Sequence, residues 1–409
     1  MRFTLSLSNG LSAAALTACA AIAALSGVAT IAALAVGMAL VAGSVQAGAV
    51  NPIHDAQVIE VLPGASGARR EDRRLRQEWS AHPDHPALAV ALAKRYLERS
   101  HELGDPRFAG QALAALQAWP DADSAPDDVL LMLATLQQYL HDFEASATNL
   151  ERLVQRRPGT VQAWMVLATV RRVQGRLDAS QQACSGLAAA GAPFHARACS
   201  AENSALRGAF DKSRIVFNEL LATPRLAASV RGWLLTSLAE LEARAGRADA
   251  AETAFREALK VDADHYTRLA FVDHLLSQQR DGEALTWLKD QTRTDAVLLR
   301  LAIAGARSNT EQGRSDAREM RQRFAQANLR PQARGTHARE QAMFALWVDA
   351  QPQRALDLAR NNVRQQREPT DLLVFAQAAR AAGARQALLD VEALCKEIGL
   401  HDRRIDQLL

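Results

Sequence analysis

The chain has 409 residues, of which 48% are apolar and 23% charged, and its formal net charge at neutral pH is +3. A charge this close to zero, with both signs interspersed, gives no electrostatic basis for binding nucleic acid. Ala, Leu, Arg and Gln, which favour helices, are abundant, and strand-like residues are confined to the short segment 56–62, so we predict an all-α protein.

An apolar leader opens the sequence. No charged side chain occurs between Phe3 and Pro52, and Val45 and Ala47 place small residues where a signal peptidase reads them. We predict that residues 1–47 are a cleaved signal peptide and that the remainder is exported to the periplasm or cell envelope. A retained N-terminal membrane anchor is the second interpretation, because the apolar run is long enough to span a bilayer. A lipoprotein signal ending at Cys19 and a cytoplasmic body are two further alternatives.

Residues 48–80 are predicted to connect this leader to the body of the protein. Their basic run, 69–76, is interpreted as the solvated face of a helix that also carries acidic residues. Pro86, preceded by Asp84 and His85 as candidate caps, then favours the start of a helix. His82 and His85 lack further ligand-type residues nearby, so we predict no metal site and no cofactor.

A short sequence motif, which we call the phrase, recurs through the middle of the chain. Its copies begin at His141, Gly175, Gly208 and Gly246, at spacings of 34, 33 and 38 residues. A pair of one large and one small residue precedes each copy, except that Ser200 replaces the large residue in the third. Self-similarity at this period is typical of stacked helical hairpins. Glycine at the phrase start suits the left-handed residue that ends a helix, and Asp178 then lies in the first turn of the next helix.

These features resemble the tetratricopeptide repeat (TPR), in which two antiparallel helices recur every 34 residues. The copy from Trp164 to Leu187 carries the family's opening of Trp, Leu and a small residue, and Pro158 takes its closing proline position. The resemblance implies a right-handed superhelical solenoid at 81–292, followed by degenerate hairpins and a C-terminal cap at 293–409. We predict helices in the second part at 296–306, 316–327, 336–349, 354–366, 370–382 and 385–399, with the charged tail 401–407 as the cap.

Short segments at 104–108 and 365–369 are similar to exported proteobacterial TPR proteins of unassigned activity. That similarity implies an envelope protein, with a membrane transport protein as one candidate partner. The sequence contains no catalytic or phosphate-binding motif, so we predict that the chain is not an enzyme. Two alternatives to a peptide-binding scaffold stay open: an assembly subunit permanently bound to a membrane transport protein, and a metal- or glycan-binding accessory protein. The sequence leaves the oligomeric state open.

The resemblance also implies where a protein or peptide would bind, because the inner helix of each TPR hairpin lines a concave groove. The groove residues carried over from the family are Gln138, Tyr139, Gln162, Met165, Thr169, Arg172, Trp233, Thr236, Glu240, Arg244, His274 and Gln278. We expect Arg172 and Arg244 to anchor a ligand from outside the core, with Tyr139 and Trp233 as aromatic companions. Pairing of both Arg side chains with nearby acids is the alternative.

The cysteines bear on the compartment. In a TPR stack, Cys184 and Cys199 would lie on two helices that pack against each other. An exported protein meets an oxidising compartment, so we predict that these two form a disulfide. Two buried thiols acting as small apolar side chains are the alternative. Cys395 has no partner in this prediction.

Overall fold

The computed structural model describes residues 67–105, 107–329 and 337–409. The predicted signal or anchor segment, 1–47, lies outside these residues, as does most of the predicted connector. Residues 72–409 form one packed unit, and residues 67–71 belong to a second unit that otherwise lies outside the described part. Residues 67–81 form a helix that lies in the predicted connector except for its last residue.

Helices account for all the regular structure in the described residues, which confirms the all-α prediction. They are α1 (Gly67–Ala81), α2 (Pro86–Leu103), α3 (Arg107–Ala115), α4 (Asp127–Tyr139), α5 (Phe143–Arg156), α6 (Val161–Val173), α7 (Leu177–Ala189), α8 (Pro193–Leu206), α9 (Phe210–Leu221), α10 (Ala228–Arg244), α11 (Ala248–Val261), α12 (His265–Ser277), α13 (Asp281–Leu288), α14 (Asp295–Arg307), α15 (Glu311–Asn328), α16 (Ala338–Trp347), α17 (Pro352–Asn362), α18 (Pro369–Ala381), α19 (Arg385–Ile398) and α20 (Arg403–Asp406). Within this part of the chain, none of the helices is both long and apolar enough to cross a membrane.

From α2 to α19, consecutive helices pack in pairs, and most first helices also pack against the first helix of the next pair. This is the stacked-hairpin arrangement that the repeat spacing predicts, so the TPR-like solenoid is confirmed. The predicted turns hold too: Gly175, Gly208 and Gly246 have φ values of 74°, 85° and 74°, and His141 takes the same left-handed conformation at 65°. The degenerate hairpins predicted after residue 292 correspond to α14 through α19.

Two kinds of interaction hold the two helices of a hairpin together. Leu150, Cys184, Phe217 and Phe255, which recur nine residues after each phrase start, are all buried. Burial of a side chain as large as Phe contributes about 1.5–3 kcal/mol. In addition, the Ser146 and Ser180 hydroxyls each donate to a backbone carbonyl of the preceding helix, at Ala134 and Ala168, over 2.8 Å. The small alanines let the helices come close enough for these bonds.

A disulfide joins Cys184 of α7 to Cys199 of α8, with their Cα atoms 5.7 Å apart. The predicted pairing is therefore present in the structure. Cys395 is a free, half-buried thiol, and burial raises the pKa of that thiol to about 12.

The C-terminal tail, predicted as a cap, contacts α18 of the last hairpin through α20 and also lies against the middle repeats through α10. The His401 backbone N–H donates to the Leu206 carbonyl over 2.8 Å, and the Arg367 N–H donates to the Val173 carbonyl over 2.7 Å. Gln366 Nε2 is hydrogen-bonded to His141 Nδ1 at 2.8 Å. We call residues 366–404 the closing segment, because they fold back onto the turn ends of α4, α6 and α8.

Candidate peptide-binding groove

The predicted groove residues lie on the inner helices α4, α6, α10 and α12, except Gln278, which caps the C-terminal end of α12, and they differ in exposure. Gln138, Thr169, Trp233, Thr236, Arg244 and His274 are buried; Tyr139, Gln162, Met165, Arg172 and Glu240 are half-buried; Gln278 is exposed. Half of the predicted set therefore belongs to the packing between helices and not to an open surface.

Polar contacts connect several inner helices to the next one. The Ser100 and Tyr139 hydroxyls are hydrogen-bonded at 2.9 Å between α2 and α4. Farther along, the Thr236 and Thr267 hydroxyls meet at 2.9 Å between α10 and α12. The Tyr266 hydroxyl donates to the Glu240 carboxylate over 2.5 Å between the same two helices. These bonds satisfy several groups that were expected to face a ligand.

Arg172, expected to be an anchor, is engaged within the chain. Its guanidinium forms an ion pair with Glu202, and its Nε donates to Asn203 Oδ1 over 3.1 Å. Glu202 also accepts from the Ser237 hydroxyl over 2.8 Å, so a single carboxylate connects α6, α8 and α10. Arg172 therefore pairs with a nearby acid, Glu202, which is the alternative to its role as a ligand anchor.

Arg244 corrects the prediction more strongly. Its side chain is only 8% exposed, so the expectation that it lies outside the core is wrong. Burial lowers the pKa of its guanidinium, while the carboxylates of Glu240 and Asp402 act in the opposite direction. The physical reason is that Asp402 and its neighbours in the closing segment approach the end of α10, and the repeat phase carries no information about that approach.

Aromatic and histidine side chains are also built into the packing. The Trp233 ring stacks on His195, with ring centroids 6.1 Å apart. Tyr139 contacts the edge of His101 at 4.7 Å. The ring centroid of His274 lies 5.7 Å from that of Phe255 and 6.5 Å from that of Phe271, and burial among these rings lowers the pKa of its imidazole.

What stays accessible is the strip made by the N-terminal halves of the inner helices. Leu131, Gln162, Met165 and His195 lie there, all half-buried. The side chains of Gln162 and Met165 make no hydrogen bond within the described part of the chain. We call these four residues the inner strip. It combines an amide, two apolar groups and an imidazole beside Trp233.

The hairpin spacing and the packing of successive first helices define the architecture. The chain has the TPR fold. Among the residues that the structure describes, no three His, Cys, Asp or Glu side chains are grouped so that they could hold a metal ion.

Comparison with known proteins gave no matching family model and no matching curated protein. The solved structures that resemble the chain include PilF of Pseudomonas aeruginosa, at 12% identity and a TM-score of 0.36 over 50% of this chain and 94% of that one. A tetratricopeptide repeat protein of Parabacteroides merdae has 11% identity and a TM-score of 0.37 over 70% and 98%. The TPR domain of P58(IPK) has 16% identity and a TM-score of 0.21 over 78% and 96%.

Proposed function

We propose that the chain is a non-enzymatic scaffold of the bacterial cell envelope that binds an extended peptide or protein segment along its inner strip. The observation that carries this proposal is the unengaged pair Gln162 and Met165 on α6, at the centre of an otherwise internally bonded face. An amide can both donate to and accept from a peptide backbone, and Met accommodates differently shaped apolar side chains. TPR folds serve generally as protein-interaction scaffolds.

Two features support an exported location: the uncharged leader before Gly48 and the disulfide between Cys184 and Cys199. Disulfides persist in oxidising compartments and are rare in the bacterial cytoplasm. Mass spectrometry of the protein from its native host should therefore find an N-terminus near Gly48. A soluble cytoplasmic protein that begins at Met1 would contradict the proposed location.

The binding site is tested with peptides selected from a random display library on protein expressed with its own leader. Replacing Gln162 and Met165 together by Ala should weaken the selected peptides at least tenfold, about 1.4 kcal/mol. Gln155→Ala is the matched control, because Gln155 is exposed on α5, a second helix of its hairpin, outside the predicted groove. It should leave affinity within about twofold. Unchanged affinity in the double variant, with native helix content, would exclude the inner strip.

The alternative of a permanently bound assembly subunit calls for a large exposed apolar patch. In the described residues the most exposed large apolar side chains belong to separate elements. They are Leu103, Ile215, Leu329, Leu389 and Leu409. This distribution gives no specific support to a permanent membrane partner.

A further inference from the structure

A second concave site lies away from the inner strip, between α7, α8 and α9. It is a pocket of about 470 Å³ bounded by Ala188, Ala196, Ala201, Ser200 and Val216, with Cys184 of the disulfide in its wall. Ser204 also lines it and follows His195 by nine residues, which is two and a half helical turns. The pocket is therefore on the face of α8 opposite to the inner strip.

A departure from the repeat pattern accounts for the pocket. The position that holds Leu133, Leu167 and Leu238 in other copies holds Ser200 here. A hydroxymethyl group replaces a branched four-carbon side chain, so the space that the leucine would fill stays open. Ser200 instead accepts a hydrogen bond from Gln181 Nε2 over 2.9 Å, which keeps its hydroxyl turned toward α7.

The same hairpin contains an unsatisfied hydroxyl at the pocket. Ser213 lines the pocket and is 1% exposed, and its Oγ has no hydrogen-bond partner. Its counterparts Ser146 and Ser180 both donate to the carbonyl twelve residues earlier. A buried hydroxyl without a partner is unfavourable, so a ligand oxygen that accepted from Ser213 Oγ would satisfy it.

Positive charge marks the rim of the pocket. Lys212, adjacent to Ser213, is exposed and makes no ion pair among the described residues. Arg197 lies on the same rim and pairs with Glu219 at 2.5 Å. Four alanines, Val216 and Pro193 form the apolar part of the lining, and four serines form much of its polar part. The volume falls in the range of about 300–1,000 Å³ that small-molecule sites occupy.

We propose that this pocket binds a small carboxylic acid with an apolar body. The alanine walls and Val216 take the apolar body, Lys212 supplies the compensating charge, and the Ser213 hydroxyl donates to a ligand oxygen. The site is independent of the inner strip, and its ligand is a free acid and not a segment of a partner protein.

The probe for the experiment is 4-phenylbutyrate, with 4-phenylbutan-1-ol as its uncharged counterpart, and binding is measured by calorimetry and saturation-transfer NMR. We expect the acid to bind with a Kd below about 1 mM, corresponding to about 4 kcal/mol. Lys212→Gln should weaken the acid at least fivefold and leave the alcohol unchanged. Lys289→Gln, which alters an exposed lysine on another hairpin, is the control and should change neither.

Ser200→Leu restores the residue of the other copies and should abolish binding of both probes without lowering the melting temperature. Failure of the acid to bind at millimolar concentration, or binding that persists in folded Ser200→Leu protein, overturns the proposal. Should that variant not fold, Ser213→Ala decides, because equal affinity in parent and variant also overturns it. The Gln162 and Met165 double variant should bind the acid like the parent, and Ser200→Leu should bind selected peptides like the parent.

Discussion

At the scale of single residues, Glu202 and Arg172 are the polar centre of the inner face. The Arg172 guanidinium is paired with Glu202 and bonded to Asn203, and Glu202 also receives the Ser237 hydroxyl. Both charged side chains are largely buried, so each depends on the other for compensation. Removal of one partner of such a pair is more costly than the pair's net contribution, because the remaining charge stays buried without its counterpart.

Arg172→Ala should therefore destabilise the protein by about 2 kcal/mol, since it leaves the Glu202 carboxylate and the Asn203 amide short of donors. The measurement is the free energy of unfolding from urea denaturation. Arg197→Ala is the control, because the pair of Arg197 with Glu219 on the adjacent helix is about half exposed. Exposed pairs contribute about 0–1 kcal/mol. Equal effects of the two substitutions would show that burial of the Arg172 pair is unimportant.

The positions of residues within the repeat predicted which residues lie on the inner helices. They did not predict which of those side chains are available for contact with a ligand. Arg172 and Trp233 lie on the inner helices α6 and α10, yet both are engaged by α8, through Glu202 and His195. The partner lies 30 positions away for Arg172 and 38 positions away for Trp233, in a repeat of different sequence. The position of a residue in its repeat determines which way its side chain points from the helix. Whether that side chain is available to a ligand depends on the residue it meets in the next repeat.

At the scale of elements, the hairpin of α8 and α9 is the irregular one. It lacks the leucine at Ser200 and the hydroxyl-to-carbonyl bond of the two preceding hairpins. The disulfide between Cys184 and Cys199 joins α8 to the preceding helix α7 next to this irregularity. A covalent bond thus secures α8 where side-chain packing within its own hairpin is weakest.

Replacing Cys184 and Cys199 together by Ser should lower the free energy of unfolding by about 3 kcal/mol, the value expected for a closed loop of about 15 residues. Guanidinium denaturation measures the change. Cys395→Ser is the control, because Cys395 belongs to no disulfide, and it should have a smaller effect. A parent protein whose denaturation midpoint is the same with and without reductant would contradict this prediction.

Sequence signals specify most hairpins because their turns require particular residues. Gly383 at φ 64° and Gly399 at φ 75° mark the ends of α18 and α19, which is why even the degenerate C-terminal hairpins were predictable. Helix α1 carried a weaker signal. Its charged sequence has no continuous apolar stripe, so it was assigned to a connector, although its basic run was interpreted as a solvated helix face.

At the scale of the whole molecule, the docking of the closing segment onto the middle repeats is the feature that the sequence did not predict. Helical periodicity and repeat phase encode contacts between neighbouring hairpins, because those contacts recur. The bonds from Gln366 to His141 and from His401 to Leu206 occur once each, between segments of unrelated pattern. Where these bonds form depends on the summed rotation between successive stacked hairpins. Small variations in each hairpin change that sum.

Asp402 caps α20 and directly follows His401, whose backbone N–H bonds to Leu206. It is 1% exposed, and its carboxylate accepts the backbone N–H and the guanidinium of Arg404. Asp402→Ala should remove the cap of α20 and loosen its docking. Hydrogen exchange should then become roughly tenfold faster at residues 204–209 and 400–406, about 1.4 kcal/mol of lost protection.

Residues 150–156, remote from the docked tail, should keep their exchange rates in that variant. Asp406→Ala provides the control, because Asp406 lies in the same short helix but is exposed. If exchange at 204–209 is unchanged in Asp402→Ala, then the contact with Leu206 does not protect the end of α8.

The bond between His141 and Gln366 joins residues separated by 225 positions. In a linear repeat array, each repeat is stabilised only by the repeats next to it, so the terminal repeats can unfold one at a time. Here the opening of the last hairpins also withdraws partners from the ends of α4, α6 and α8, which couples distant repeats into one cooperative transition. The order of synthesis also affects when this bond can form. Hairpins between residues 127 and 261 form locally as the chain emerges, and their turn ends stay uncovered until residues 366–404 have been made.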